Sequence, residues 1–207
     1  MTDTNLIGLA HSDLQVFFAT LGEKPYRASQ LMKWIYHQGV TDFSEMSNLS
    51  KGLRERLESS ATIKLPKLVS TQPSDDGTIK WLLALADGNC IEAVFIPETE
   101  RGTLCVSSQV GCALNCSFCS TATQGFSRNL TADEIVGQVL FATLELGIAK
   151  NRGSRIITNI VLMGMGEPLL NFENVTKAVD IMLDDNGFGV SKRRVTLSTA
   201  GLVPAID

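Results

Sequence analysis

Apolar residues recur at helical spacing in the first third of the chain. Within "YRASQLMKWIYHQG" the apolar positions follow an i, i+3, i+4, i+7, i+8 pattern made by Ala28, Leu31, Met32, Ile35 and Tyr36. Gly39 is a natural stop for this helix. The stretch "SDLQVFFATLG" predicts an earlier helix that ends at Gly22, and a third helix is predicted after Ser50. We therefore predict a small helical domain over residues 1–65.

The hydrophobic period changes near residue 66. Two segments, "TIKWLLAL" and "CIEAVFIP", flank "ADGN" and predict two strands joined by an Asp-Gly turn, a hairpin over residues 66–97. Alternation places Glu92 on the same face as Val94, opposite Ile91 and Phe95. A carboxylate in so apolar a strand is unusual. The pattern alone favours an edge strand with Glu92 in water over a functional role.

Strands and helices alternate over the last segment, residues 98–207. The segments "TLCVSSQVG", "ITNIVLMG" and "RVTLSTAG" read as strands, and "TADEIVGQVLFATLELG" and "NFENVTKAVDIMLDD" as helices, the first with a capping box from Thr131 and Glu134. Repeated β/α units predict an α/β fold with a parallel sheet that binds ligands at the carboxyl ends of its strands. Because three units cannot close a barrel, we expect an incomplete barrel at residue 207 and favour a longer parent protein.

The composition narrows the class of protein. The chain has 207 residues, 44% of them hydrophobic and 19% charged, which is typical of a globular protein. Its net charge of −4 argues mildly against a protein dominated by nucleic-acid binding, although local basic groups occur, such as Lys192, Arg193 and Arg194. No apolar run is long enough for a membrane helix, and we expect a cytoplasmic protein without a membrane partner. In a reducing cytosol, clustered cysteines indicate metal ligands or catalysts.

Three of the five cysteines fall within "GCALNCSFCSTATQGFSRNL". Cys112, Cys116 and Cys119 have the spacing C-x3-C-x2-C, and thiolates are ligands of iron–sulfur clusters and of zinc. A closed zinc site needs four ligands, and no fourth cysteine or histidine lies at the usual spacing. Three ligands fit a four-iron cluster with one iron left open.

This motif resembles the signature of the radical S-adenosylmethionine (SAM) superfamily. The resemblance implies that Cys112, Cys116 and Cys119 hold a 4Fe–4S cluster whose open iron chelates SAM, the second cofactor. The segment "GMGEP" is similar to the superfamily's glycine-rich motif, which implies that Gly166 and Glu167 contact SAM. By the same resemblance Ser198, at the end of the third strand, is a further SAM contact. The expected fold is then a partial radical SAM (β/α) barrel behind the helical domain and the hairpin.

Longer stretches resemble the RlmN family of dual-specificity RNA methyltransferases. They include "GEKPYRASQLMKWIY", "SDDGTIKWLLAL" and "LDDNGFGVSKRRVTLSTAG". The resemblance implies methylation of adenine carbon 2 in 23S rRNA and tRNA, with two SAM molecules, a methyl-cysteine intermediate and a flavodoxin-type electron donor. It implies that the helical domain engages RNA, that Glu92 accepts a proton and that Cys105 resolves the RNA–protein adduct through a transient disulfide. Cys90 matches no role.

One element of the family pattern has no match. The methyl-carrying cysteine would lie beyond residue 207. Three alternatives stay open: the sister activity on adenine carbon 8, a non-catalytic RNA-binding module in which the three cysteines hold zinc, and a structural remnant without activity.

Overall fold

The computed structural model describes residues 4–114, 116–147 and 156–202. Its helices are α1 (His11–Thr20), α2 (Tyr26–Met32), α3 (Lys51–Ser60), α4 (Ala132–Glu145) and α5 (Phe172–Leu183). Its strands are β1 (Thr4–Asn5), β2 (Ala61–Thr62), β3 (Lys67–Pro73), β4 (Ile79–Ala84), β5 (Cys90–Pro97), β6 (Gly102–Cys105), β7 (Gln109–Gly111), β8 (Phe126–Asn129), β9 (Asn159–Leu162) and β10 (Val195–Leu197).

The three helices predicted near the amino terminus are present. All five residues of the predicted apolar stripe on α2 and the π-helical turn after it are buried. Gly22 and Gly39 follow their helices with φ of 70° and 68°, the left-handed conformation that glycine adopts without strain. Ser50 caps α3, since its hydroxyl accepts a hydrogen bond from the Leu53 amide at 3.3 Å. The Tyr36 hydroxyl donates to the Ile7 carbonyl at 2.8 Å and fixes the π-helical turn after α2 against the segment after β1.

Six strands of the described chain form one mixed sheet in the order β10-β9-β6-β5-β4-β3. The neighbours β6, β9 and β10 are parallel, as predicted, and the sheet is open. The predicted hairpin of β4 and β5 has a third antiparallel strand, β3, and β5 continues the sheet by pairing with β6. A tight connection makes this possible, because the Glu98 amide donates to the Arg101 carbonyl at 2.6 Å and turns the chain straight back.

The expectation that β5 is an edge strand is wrong, because β5 lies between β4 and β6. Burial follows the predicted alternation: Ile91, Ala93 and Phe95 are buried, whereas Glu92 and Val94 are half-buried. The buried face packs against α4, where the ring of Trp81 on β4 meets that of Phe141 edge to face at 5.8 Å. The opposite face, which we call the inner face, carries Glu92.

The predicted strand "TLCVSSQVG" is in fact two strands in different sheets. β6 belongs to the six-stranded sheet, whereas β7 pairs with β8 in a two-stranded sheet. The chain leaves the first sheet at Ser107, whose amide donates to Gln138 Oε1 on α4 at 2.8 Å, while the Ser108 amide donates to the Met165 carbonyl at 2.8 Å. These buried partners accept the hydrogen bonds of the Ser107 and Ser108 amides where pairing with the six-stranded sheet stops. The chain can therefore leave that sheet, and β7 pairs with β8 instead.

The capping box of α4 is present, with the Thr131 amide donating to Glu134 Oε2 at 3.0 Å. Within the residues that the structure describes, we find no helix with the length and apolar character needed to cross a lipid bilayer.

Candidate functional site

The cysteine motif lies in a loop that leaves β7 and returns as β8. Gly111 has φ of 72°, and a Cβ atom there would stand 2.9 Å from the Gly125 carbonyl carbon, so only glycine lets the two ends of the loop meet. The Cys112 amide donates to the Gly125 carbonyl at 3.1 Å, and the Cys119 amide to the Cys116 carbonyl at 3.1 Å. The loop is therefore closed at its base and turned at its tip by backbone contacts.

A cleft of about 310 Å³ opens above this loop at the carboxyl ends of β9 and β10. We call it the strand-end cleft, and its lining includes all six residues predicted to hold the cluster or SAM: Cys112, Cys116, Cys119, Gly166, Glu167 and Ser198. The first three come from the cysteine loop, the next two from the loop after β9, and the last from the end of β10. The carboxyl edge of parallel strands is where α/β sheets bind ligands.

The three thiols share the cleft but are not gathered at one point. All five cysteines are free. Across residues 4–114, 116–147 and 156–202, no three His, Cys, Asp or Glu side chains stand close enough together to hold a metal ion. A hydrogen bond from the Ala122 amide lowers the pKa of the Cys119 thiol, which favours the thiolate, the form that binds metals. This donor set of three thiols in one cleft fits a thiolate-bound iron–sulfur cluster.

The loop after β9 approaches the chain between β6 and β7 very closely. A Cβ atom on Gly164 would lie 2.8 Å from Ser107 Oγ. Gly166 has φ of 100°, and a Cβ atom there would lie 2.6 Å from Gln109 Cγ. Both glycines are thus required by packing inside the protein, a reason that the sequence did not indicate.

Glu167 is almost fully buried, with 3% of its surface exposed. Its Oε1 accepts a hydrogen bond from the Leu169 amide at 3.0 Å, and its Oε2 accepts one from the Ala200 amide at 2.8 Å. The carboxylate therefore ties the loop after β9 to the loop after β10. Its predicted contact with SAM stays a prediction, beside this internal role that sequence reasoning missed.

Glu92 and Cys105 both lie on the inner face of the six-stranded sheet, and neither lines the strand-end cleft. Cys105 on β6 faces Val94 on β5, two residues along from Glu92. Burial raises the pKa of the Cys105 thiol. Lys80 on β4 forms an ion pair with Glu92, with 3.1 Å between Nζ and Oε1. Sequence reasoning missed Lys80. The register of the hairpin pairs Lys80 with Val94, which places it on the same face as Glu92.

Arg128 on β8 clamps the returning end of the cysteine loop. Its guanidinium donates to both carboxylate oxygens of Glu134, at 2.7 and 2.8 Å, and its Nε donates to Asp87 Oδ2 at 2.7 Å. The Glu134 bonds raise the pKa of Arg128, and the Arg128 bond holds the pKa of Asp87 far below its usual range. One side chain thus joins β8, the cap of α4 and the turn between β4 and β5.

Replacing Arg128 by lysine should lower the free energy of unfolding by about 1–2 kcal/mol, because an ammonium cannot make the two-pronged bond to Glu134 and reach Asp87 as well. Urea denaturation followed by circular dichroism measures this. The matched control is Arg101→Lys: Arg101 pairs with Glu98 at 2.7 Å on an exposed turn, where a change within about 0.5 kcal/mol is expected. Equal losses in the two variants would contradict the clamp.

Residues 4–63 match the family model described as "Ribosomal RNA large subunit methyltransferase N-terminal domain", and residues 106–207 match the model of the radical SAM superfamily. Curated proteins from strains of Pseudomonas putida, named dual-specificity RNA methyltransferase RlmN, are 58% identical over 203 residues, which is 98% of this chain and 53% of theirs. The chain therefore spans about half the length of these curated relatives.

A solved structure is also similar. It is a radical SAM methyltransferase from Sphaerobacter thermophilus, with a TM-score of 0.89 and 42% sequence identity. The match covers 98% of this chain and 59% of that one.

Proposed function

We propose, since this chain belongs to the RlmN family of radical SAM methyltransferases, that the protein methylates carbon 2 of adenine in 23S rRNA and tRNA. One observation carries the proposal: the strand-end cleft is lined by the three motif cysteines and by Gly166, Glu167 and Ser198. Elements more than 80 residues apart in sequence converge there, as a site for two cofactors requires.

The family implies a 4Fe–4S cluster and SAM as cofactors. Cys112, Cys116 and Cys119 would hold the cluster, and the loops carrying Gly166 and Ser198 would hold SAM. When bound, this pair supplies a 5′-deoxyadenosyl radical, chemistry that amino-acid side chains cannot provide. Radical chemistry suits the target because carbon 2 of adenine is electrophilic and does not attack SAM as a nucleophile would.

Two residues on the inner face would complete the reaction. Glu92 is the proposed proton acceptor, and its ion pair with Lys80 at 3.1 Å orients the carboxylate on this face. Cys105 is the proposed resolving cysteine. The strand register puts it at the diagonal position from Glu92, where Cα atoms of neighbouring strands are typically about 7–8 Å apart. Because all five cysteines are free in the structure, the disulfide predicted for Cys105 stays a proposal.

The proposed partners are the two RNA substrates and a flavodoxin-type electron donor. Similarity of residues 4–63 to the N-terminal domain of ribosomal RNA methyltransferases supports an RNA contact by the helical domain. Its Tyr26 is half exposed with the Arg27 guanidinium 4.9 Å from its ring centre, an arrangement that suits stacking on a base.

Deleting the gene that contains this coding sequence should abolish 2-methyladenosine in digests of 23S rRNA and tRNA, and the intact gene should restore it. Mass spectrometry with fragment standards distinguishes methylation at carbon 2 from methylation at carbon 8. The matched control is complementation with the same gene carrying Cys112→Ala, which should leave the modification absent. Loss of 8-methyladenosine instead would assign the sister activity. Unchanged digests would contradict both activities and favour the zinc module or the inactive remnant.

A further inference from the structure

A fully buried glutamine lies between the cysteine loop and the loop after β9. Gln109 on β7 is 0% exposed. Its Oε1 accepts a hydrogen bond from the Glu167 amide at 2.9 Å, and its Nε2 donates to Asn129 Oδ1 at 2.7 Å. Asn129, which ends β8, in turn donates to the Leu170 carbonyl at 3.0 Å. One side chain thus bonds to the base of the cysteine loop and to the loop after β9.

The contacts continue beyond Glu167. Its carboxylate accepts the Ala200 amide at 2.8 Å, three residues after the end of β10. A path of hydrogen bonds therefore runs from Gln109 through Glu167 to Ala200. It connects β7, from which the cysteine loop leaves, with the loop after β9 and the loop that begins at Ser198, and both of these loops line the strand-end cleft.

From this path we infer that Gln109 is a positioning residue for the SAM site. Gln109 fixes the backbone at Glu167, and the Glu167 carboxylate then fixes the loop after β10. The inference rests on the proposed function, because it assigns the strand-end cleft to SAM. Gln109 acts through Glu167, and Glu167 acts on the Ala200 amide in addition to its predicted contact with SAM.

The chemistry of the site explains why glutamine is needed. The amide side chain must accept from one side and donate to the other, and a buried group without its partners is costly. Glutamate at position 109 would lose the donor and bury a charge, whereas methionine keeps the length but loses both bonds. The backbone also holds β7 close to the loop after β9, because the Ser108 and Gln109 amides both donate to the Met165 carbonyl, at 2.8 and 3.1 Å.

The test compares Gln109→Met with Gln138→Met. Gln138 on α4 is also 0% exposed, and its side-chain amide bonds to the Ser107 amide and carbonyl at 2.8 and 3.0 Å, without a bond to Glu167. Both variants lose a buried amide with its two principal bonds. A general loss of stability should therefore affect them equally, whereas loss of the path to Ala200 should affect Gln109→Met alone.

The first measurement is amide hydrogen exchange at Ala200 under native conditions. We expect exchange to be about tenfold faster in Gln109→Met than in the wild type, and to change by less than about twofold in Gln138→Met. This readout needs no cofactor. Unchanged exchange at Ala200 in Gln109→Met, or equal acceleration in both variants, would overturn the inference.

The second measurement uses protein reconstituted anaerobically with iron and sulfide, and SAM itself as the probe in equilibrium dialysis. The dissociation constant of SAM should rise about tenfold in Gln109→Met while the iron bound per chain stays at the wild-type value. Loss of iron would assign Gln109 to the folding of the cysteine loop and refute its action through Glu167. A wild-type chain that binds neither iron nor SAM would refute the proposed function. The hydrogen-exchange measurement at Ala200 would still test the hydrogen-bond path in that case, because it needs no cofactor.

Discussion

Alanine at any one of Cys112, Cys116 or Cys119 should reduce the iron bound after anaerobic reconstitution from about four atoms per chain to less than about a tenth of that. Reductive cleavage of SAM to 5′-deoxyadenosine should fall by at least about 100-fold. The reason is the number of ligands: a cluster held by three thiolates loses a third of its protein ligands with each substitution. Iron assays, absorbance at about 400 nm and chromatography of the nucleoside product measure these effects.

Cys90→Ala is the matched control for these variants. Cys90 is also a free, half-buried cysteine, but it lies on β5 and does not line the strand-end cleft. Its replacement should leave both the iron content and SAM cleavage within about twofold of wild type. Wild-type iron loading in any of the three motif variants would contradict the cluster assignment. Stoichiometric zinc in the wild-type protein, with no absorbance from iron and sulfide, would favour the zinc module.

Replacing Gly166 by alanine should cost about 3 kcal/mol or more of unfolding free energy and abolish SAM binding. Two effects add up here. At φ of 100° a Cβ atom is strained, and it would also lie 2.6 Å from Gln109 Cγ and 2.8 Å from the Gln109 amide nitrogen. Relief requires the loop after β9 to move away from β7, which breaks the bond between the Glu167 amide and Gln109. Urea denaturation and equilibrium dialysis with SAM measure the two losses.

The Gly88→Ala variant is the control that introduces backbone strain without a steric clash of the added Cβ atom. Gly88 has a similar φ of 86°, but no described atom lies within 4 Å of the position that its Cβ would take. We expect a loss of about 1 kcal/mol from backbone strain and unchanged SAM binding. If Gly166→Ala were no less stable than Gly88→Ala and bound SAM normally, the close approach of the two loops would not hold in solution.

The helices could be predicted from local patterns alone. The stripe from Ala28 to Tyr36 is buried because a helix places residues spaced by three and four on one side, whatever that side packs against. The α4 capping box and the turn at Gly88 also depend only on neighbours in sequence. The cysteine motif belongs to the same class, since its spacing within one loop is a local property.

The path of the strands was less predictable. The segment "TLCVSSQVG" has the composition of one strand, but partners from α4 and from the loop after β9 bend it at Ser107 and Ser108. The pattern on β5 placed Glu92 on the correct face, yet whether β5 lay at an edge depended on its pairing with β6. Strand neighbours are set by contacts between distant residues, and no local period records them.

The sequence alone was therefore sufficient for the helices, the faces of the strands, the cysteine motif and the family, because each of these depends on neighbouring residues or on recognisable motifs. Tertiary structure was needed to gather the cysteine loop, Gly166 and Ser198 around one cleft, and to show that Gln109 and Glu167 bond these loops together. A buried glutamine or glutamate has no periodic signature. Apart from the Leu169 amide, the partners of Gln109 and Glu167 lie 20 to 58 residues away in the chain, and only folding brings them within hydrogen-bond distance.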